Sequence, residues 1–89
     1  MALNVYWTHS AQKDRIRIYK SWNEKTGNTG YSGTLNQLIV DKLFQARLFP
    51  DTGLETDRKE IRALIIEKQY KLFYSIKKDA IVVLRVLGN

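Results

Sequence analysis

The sequence predicts an α+β domain of two layers, in which a helical hairpin packs on an antiparallel sheet and the elements follow the order β-α-α-β-β-β. Three consecutive segments in the second half of the chain are rich in β-branched and aromatic residues, with only short connections between them. Two longer segments with the apolar spacing of helices precede them, and a short alternating segment comes first. One face of such a sheet must be covered by the helices, which gives two layers.

The composition predicts one basic domain, over residues 1–89. Fifteen Lys and Arg against nine Asp and Glu give a net charge of +6, which favours an acidic partner, either nucleic acid or protein. The chain has no cysteine, so it has no disulfide or thiolate metal site. Its first residues do not read as a signal peptide, and no apolar run approaches the ~18 residues that span a bilayer. We therefore expect a cytoplasmic protein without a membrane partner.

The first strand is predicted over residues 3–7, where apolar and polar or amphipathic residues alternate. Ser10 is a candidate N-cap for a helix that runs to about Lys25. The apolar face of this helix is predicted to consist of Ala11, Ile18, Tyr19 and Trp22.

Three glycines, Gly27, Gly30 and Gly33, predict a flexible loop between the helices. The segment lacks the Gly-Lys-Ser/Thr end of a phosphate-binding loop, so it does not predict nucleotide binding. It contains a Gly-x-x-Gly match to the loop of KH domains, but so short a match is common. Thr34 and Gln37 have the spacing of a capping box, which predicts that the second helix begins there.

The second helix has two apolar faces. The core face is predicted to consist of Leu35, Leu38, Ile39, Leu43 and Ala46. A second row at four-residue spacing is formed by Val40, Phe44 and Leu48. This row is either a partner-binding surface or the face that packs on the first helix. Packing is the default in a helical hairpin, and we put forward the hypothesis that a partner covers part of the row.

The sequence Pro-Asp-Thr-Gly at residues 50–53 predicts a turn that ends the second helix. The following segment, up to Lys59, is polar and is expected to be an exposed loop. Three strands are then predicted over residues 60–67, 70–76 and 80–87. Their connections hold two and three residues, so they should form an antiparallel meander.

Basic residues in the three strands give the candidate functional site. In the middle strand Lys71 and Phe73 point to the same face, because side chains alternate along a strand. If the faces of the neighbouring strands align with it, Arg62, Lys71 and Arg85 converge around Phe73 and form a site for phosphate or an acidic surface. The alternative is that each cation extends separately into water at the rim of the sheet.

The sequence predicts neither a metal nor a cofactor. His9 is the single histidine, and nothing near it in sequence would form a catalytic dyad with it. The acidic residues Asp51, Glu55 and Asp57 lack the spacing of a calcium loop. No small-molecule substrate is expected either.

Four segments resemble RelE/ParE toxins, and together they cover nearly the whole chain. Residues 5–11 resemble the family's first strand, which ends in an aromatic residue and leads into a helix. Residues 48–53 resemble the Pro and Gly turn after its second helix. Residues 61–74 resemble a strand pair in which an Arg precedes a Tyr-basic-aliphatic-x-Tyr signature, and residues 80–87 resemble the closing strand.

The resemblance implies a toxin that inhibits growth and is neutralised by a cognate antitoxin encoded beside it. RelE-like members cleave messenger RNA on the ribosome with basic residues of the open sheet face, and Arg62 and Lys71 occupy positions of that kind. Arg85 matches less closely. The RelE-like pattern also has a basic residue, and often an aromatic residue or His, just beyond the last strand, where this sequence has Gly88 and Asn89.

Three hypotheses follow for the function. The favoured one is a ParE-like toxin that binds DNA gyrase. The second is a ribosome-dependent mRNA endonuclease, in which Arg62, Lys71 and Arg85 would stabilise the scissile phosphate as catalytic residues. The third is a nucleic-acid-binding adaptor that is not toxic.

Overall fold

The computed structural model describes residues 3–27 and 30–88, and in this part of the chain five strands form one mixed sheet with the order β1-β5-β4-β3-β2. The elements are β1 (Asn4–Trp7), α1 (His9–Thr26), α2 (Gly30–Leu48), a short 3-10 helix (Pro50–Thr52), β2 (Leu54–Glu55), β3 (Ile61–Ile66), β4 (Tyr70–Lys77) and β5 (Ala80–Gly88). The predicted two-layer α+β fold is confirmed.

The sheet differs from the prediction in two respects. It is mixed rather than antiparallel, because β1 pairs in parallel with β5, with Val5 opposite Ile81. It also contains β2, two residues long, within the segment predicted to be a loop; Leu54 lies opposite Ala63. Neither pairing is encoded locally, since each depends on how distant parts of the chain meet. The predicted meander of β3, β4 and β5 is confirmed.

The first helix begins two residues earlier than predicted. Thr8, and not Ser10, is the N-cap: its Oγ1 accepts a hydrogen bond from the Ala11 backbone N–H at 3.1 Å. The same hydroxyl donates to the Leu84 carbonyl at 3.0 Å, so the cap also ties the helix to β5. At the other end Gly27 adopts the left-handed conformation, with φ 64°, that commonly ends helices.

The second helix begins at Gly30, so the predicted capping box at Thr34 and Gln37 is wrong. Glycine lowers helix stability by about 1 kcal/mol relative to alanine. This first part of the helix is nevertheless fixed on α1, because Leu35 is buried and Asn36 accepts a hydrogen bond from the Tyr19 hydroxyl at 2.7 Å. Of the predicted glycine-rich loop, residues 28–29 lie outside the described residues, and residues 30–33 are helical.

The core lies between the two helices and one face of the sheet. The helices contribute the predicted faces, with Ala11, Ile18, Leu35, Ile39, Leu43 and Ala46 buried. The sheet contributes Leu64, Ile66, Leu72, Tyr74, Ile81, Val83 and Val86. We call the opposite side, on which Ile65, Lys71, Phe73, Val82 and Leu87 lie half-buried, the open face. No helix in the described ranges is long and apolar enough to cross a membrane.

Candidate functional site

Of the three basic residues of the predicted site, Lys71 and Arg85 lie beside Phe73 and Arg62 does not. Lys71 lies on the open face beside Phe73, because it is paired with Ile65 on one side and Leu87 on the other. Arg62 is opposite Tyr74, so it lies on the helix-facing side of the sheet. Arg85 lies opposite Phe73, and the expected cluster around Phe73 is wrong in its placement of Arg62. A register that differs by one residue reverses the face of every side chain in a strand, and the sequence does not fix it.

Arg62 holds the loop that follows α2. Its Nη1 donates to the Gly53 carbonyl at 2.9 Å and to the Asp51 carbonyl at 3.3 Å. Its Nη2 also lies 3.7 Å from a carboxylate oxygen of Asp51. Its side chain is mostly buried. These contacts connect β3 to the loop, so the Arg62 guanidinium is used within the fold and is not directed at a substrate.

Tyr74 supports the same loop from inside the core. Its hydroxyl accepts a hydrogen bond from the Gly53 N–H at 3.1 Å and donates to the Pro50 carbonyl at 2.6 Å. Burial raises the pKa of Tyr74 above its ordinary value, so the hydroxyl keeps the proton that it donates. Gly53 has no room for a side chain, because an added Cβ would overlap the Tyr74 ring and come within 2.9 Å of Arg62 Cβ. The sequence did not predict this pair, although Gly53 belongs to the predicted turn and Tyr74 to the tyrosine signature.

Arg85 forms an ion pair with a buried residue of α1. Its Nε lies 2.7 Å from Oδ2 of Asp14, whose side chain is 2% exposed. The same oxygen accepts the Val86 backbone N–H at 3.0 Å, and the other carboxylate oxygen accepts from Arg17 at 2.7 Å. The Arg85 hydrogen bond is the largest cause that holds the pKa of Asp14 below its ordinary value, while burial acts in the opposite direction.

The position of Asp14 explains why a carboxylate is buried there. β1 pairs with β5 only as far as Val83, so the edge of β5 beyond that residue has no strand neighbour. Asp14 supplies the hydrogen-bond acceptor that a neighbouring strand would have supplied, because its carboxylate accepts from the Val86 N–H. The sequence indicated that Asp14 is buried, because it lies on the same face of α1 as Ala11 and Ile18, which are both buried.

The exposed row of α2 is a free surface. Val40, Phe44 and Leu48 are 48%, 52% and 46% exposed, so they do not pack on α1 as the alternative reading required. Beside them is an open groove of about 240 Å³ between α2 and β1. Its lining residues are Val5, Trp7, Arg15, Val40, Leu43, Phe44 and Arg47.

Two arginines of this groove are fixed in place. The Arg15 guanidinium lies over the Trp7 ring, 4.3 Å from its centroid, and Arg47 Nε donates to the Leu3 carbonyl at 2.6 Å. Neither forms an ion pair with a carboxylate among residues 3–27 and 30–88. The groove is thus apolar with uncompensated positive charge.

His9 is exposed at the start of α1 and joins no group of potential metal ligands among the described residues.

Solved structures resemble this arrangement over almost the whole chain. A chain of the chromosomal ParDE TA (toxin–antitoxin) system from P. aeruginosa superimposes with a TM-score of 0.81 at 20% identity, covering 98% of this chain and 96% of that one. This chain has the RelE/ParE fold.

Two further structures with the RelE/ParE fold superimpose on this chain with lower TM-scores. A copper-bound mutant toxin from Helicobacter pylori gives a TM-score of 0.65 at 21% identity, with 98% of this chain and 94% of that chain covered. The E. coli DinJ-YafQ toxin-antitoxin complex gives a TM-score of 0.59 at 14% identity, with 99% of this chain and 93% of that chain covered. No protein-family model matches the chain, and no curated protein matches it in sequence.

Proposed function

We propose that this chain is the toxin of a bacterial type II toxin–antitoxin module, and that it stops growth by binding DNA gyrase. The observation that carries the proposal is the superposition on a chain of the ParDE TA system, at a TM-score of 0.81 over 98% of this chain. The four sequence segments that resemble RelE/ParE toxins support the same proposal independently of the structural comparison.

The placement of the cations favours a binding toxin over an endonuclease. An endonuclease of the RelE-like kind would stabilise the scissile phosphate with several basic residues that act together. Arg62 lies on the helix-facing side and holds the loop around Gly53, and Arg85 is bound to Asp14. Of the three candidates, Lys71 alone remains on the open face without a bonded partner among the described residues.

The partner that neutralises the toxin is proposed to be an antitoxin segment that covers the exposed row of α2. An amphipathic segment could place its apolar side chains along Val40, Phe44 and Leu48 and in the groove beside them. Acidic residues on it would compensate Arg15 and Arg47, and the net charge of +6 would speed its association.

The proposal is tested by controlled induction of the wild-type chain in E. coli. We expect growth arrest with induction of the DNA-damage response and accumulation of cleaved DNA, while protein synthesis and full-length transcripts persist at first. Arrest of translation with cut transcripts would instead support the endonuclease. An absence of growth arrest in several hosts would support the non-toxic adaptor.

A further inference from the structure

The open face carries an apolar surface that extends across the whole sheet. The strand register arranges most of its side chains in three rows that run from strand to strand, beside a fourth row of Asn4, Ala80 and Lys77. The rows are Tyr6, Val82, Ser75 and Ile61; Arg85, Phe73, Ala63 and Leu54; and Leu87, Lys71 and Ile65. Tyr6 and Leu54, on the two outermost strands, are 58% and 56% exposed. Monomeric proteins seldom leave so continuous an apolar surface uncovered unless it has a partner.

This surface has positive but no negative charge. The strands β1, β3, β4 and β5 contain no aspartate or glutamate. The rows contain two cations: Arg85, which is bound to Asp14, and Lys71. Lys71 is half-buried between Ile65 and Leu87, and it makes no hydrogen bond or ion pair within the described part of the chain. An ammonium group with apolar neighbours is stabilised when a carboxylate approaches it.

We infer that the open face is the surface through which the toxin contacts its protein target, and that the target presents aliphatic or aromatic side chains around a carboxylate that pairs with Lys71. The inference rests on the proposed function and extends it by naming the contact surface. The centres of protein interfaces are poor in charge and rich in aromatic residues, which describes the rows around Phe73 and Tyr6.

The same composition argues against nucleic acid as the occupant of this face. Nucleic-acid affinity comes largely from several Lys or Arg residues that each neutralise a phosphate. The three rows supply one such residue that is not already paired, Lys71, because Arg85 is bound to Asp14 and Lys77 lies outside the rows at the end of β4. The open face is also distinct from the exposed row of α2, which belongs to the helical layer, so target and antitoxin would use different surfaces.

The test compares three full-length variants that each place a glutamate at an exposed or half-exposed position. Lys71→Glu reverses the charge within the rows, and Tyr6→Glu places a charge at their margin. Lys20→Glu is the control, since it makes the same change of charge as Lys71→Glu on the exposed side of α1. Each purified variant is titrated into a supercoiling reaction with purified DNA gyrase, after circular dichroism and thermal melting have shown that it is folded.

We expect Lys71→Glu and Tyr6→Glu to raise the half-inhibiting concentration at least about tenfold, while Lys20→Glu stays within about twofold of wild type. Folded Lys71→Glu and Tyr6→Glu variants that inhibit gyrase as well as wild type would overturn the inference alone. A wild-type chain that inhibits neither gyrase nor growth would overturn the proposed function, and the inference with it.

Two further outcomes would assign the face to another occupant and so overturn the inference. In one, the wild-type chain cuts transcripts and Lys71→Glu abolishes the cutting, which would make the face an RNA surface. In the other, Lys71→Glu and Tyr6→Glu weaken binding of the neighbouring-gene antitoxin by the same factor as they weaken inhibition, which would make it an antitoxin surface.

Discussion

Asp14 of α1 and Arg85 of β5 are 71 positions apart in sequence, yet Asp14 Oδ2 lies 2.7 Å from Arg85 Nε. The same carboxylate binds the Val86 N–H at 3.0 Å. One buried side chain therefore connects the first helix to the last strand at the part of the sheet edge that β1 leaves uncovered. Arg85, a candidate for the functional site by sequence, acts in the structure as part of this connection.

Asp14→Ala is expected to lower the free energy of unfolding by about 2–3 kcal/mol, because it removes charge-assisted hydrogen bonds and leaves the Val86 N–H without its partner. The measurement is urea denaturation at pH 7. Asp41→Ala is the matched control: it removes the same charge from an exposed position of α2 and should cost less than about 0.5 kcal/mol. Equal midpoints for the two variants would show that the connection does not stabilise the fold.

The contribution of Asp14 should depend on pH in a defined direction. The pKa of Asp14 in the folded chain is held below its ordinary value of 3.8, chiefly by the Arg85 hydrogen bond. The stabilisation is therefore complete above the ordinary pKa and is lost as pH falls through the folded pKa. The difference in unfolding free energy between wild type and Asp14→Asn should be constant from about pH 7 to 5 and shrink below about pH 4. A difference that grows on acidification would contradict this.

Tyr74→Phe is expected to lower the free energy of unfolding by about 1–3 kcal/mol, because the buried Gly53 N–H loses its acceptor and the Pro50 carbonyl loses a donor. Thermal melting provides the measurement. Tyr6→Phe removes the hydroxyl of a side chain that is 58% exposed, so it should change stability by less than about 0.5 kcal/mol. If both variants have the same melting temperature as wild type, the Tyr74 hydroxyl does not stabilise the loop.

Phe44→Asp is expected to weaken binding of the proposed antitoxin about thirtyfold or more, because an aromatic anchor buried at an interface typically contributes about 2 kcal/mol. Isothermal titration with the protein encoded beside this chain measures the affinity. Ile16→Asp makes a comparable change at a side chain of α1 that is 63% exposed, and it serves as the control. An unchanged affinity for folded Phe44→Asp would remove the exposed row of α2 from the interface.

Local patterns in the sequence predicted much of the fold. The apolar spacing identified the helix faces, since Ile39 and Leu43 are buried as expected while Val40 and Phe44 are exposed. The alternation in β4 correctly separated Leu72 from Phe73. These predictions succeed because they need only the period of the element and no knowledge of its neighbours.

The candidate site required information that local patterns do not carry. The face of Arg62 depends on the register of β3 against β4, and the partner of Arg85 comes from the other end of the chain. The start of α2 was misplaced for a related reason: Gly30 and Gly33 disfavour a helix locally, and contacts with α1 outweigh them. Lys71 was placed correctly beside Phe73 because both lie on one strand.

The most direct test of the central claim is the supercoiling activity of purified DNA gyrase in the presence of the purified wild-type chain. We predict that the chain inhibits supercoiling and promotes accumulation of cleaved DNA in a dose-dependent manner, and that an equimolar amount of the antitoxin encoded beside it restores activity. Full supercoiling at a large molar excess of the folded chain, with no cleaved DNA, would contradict the account.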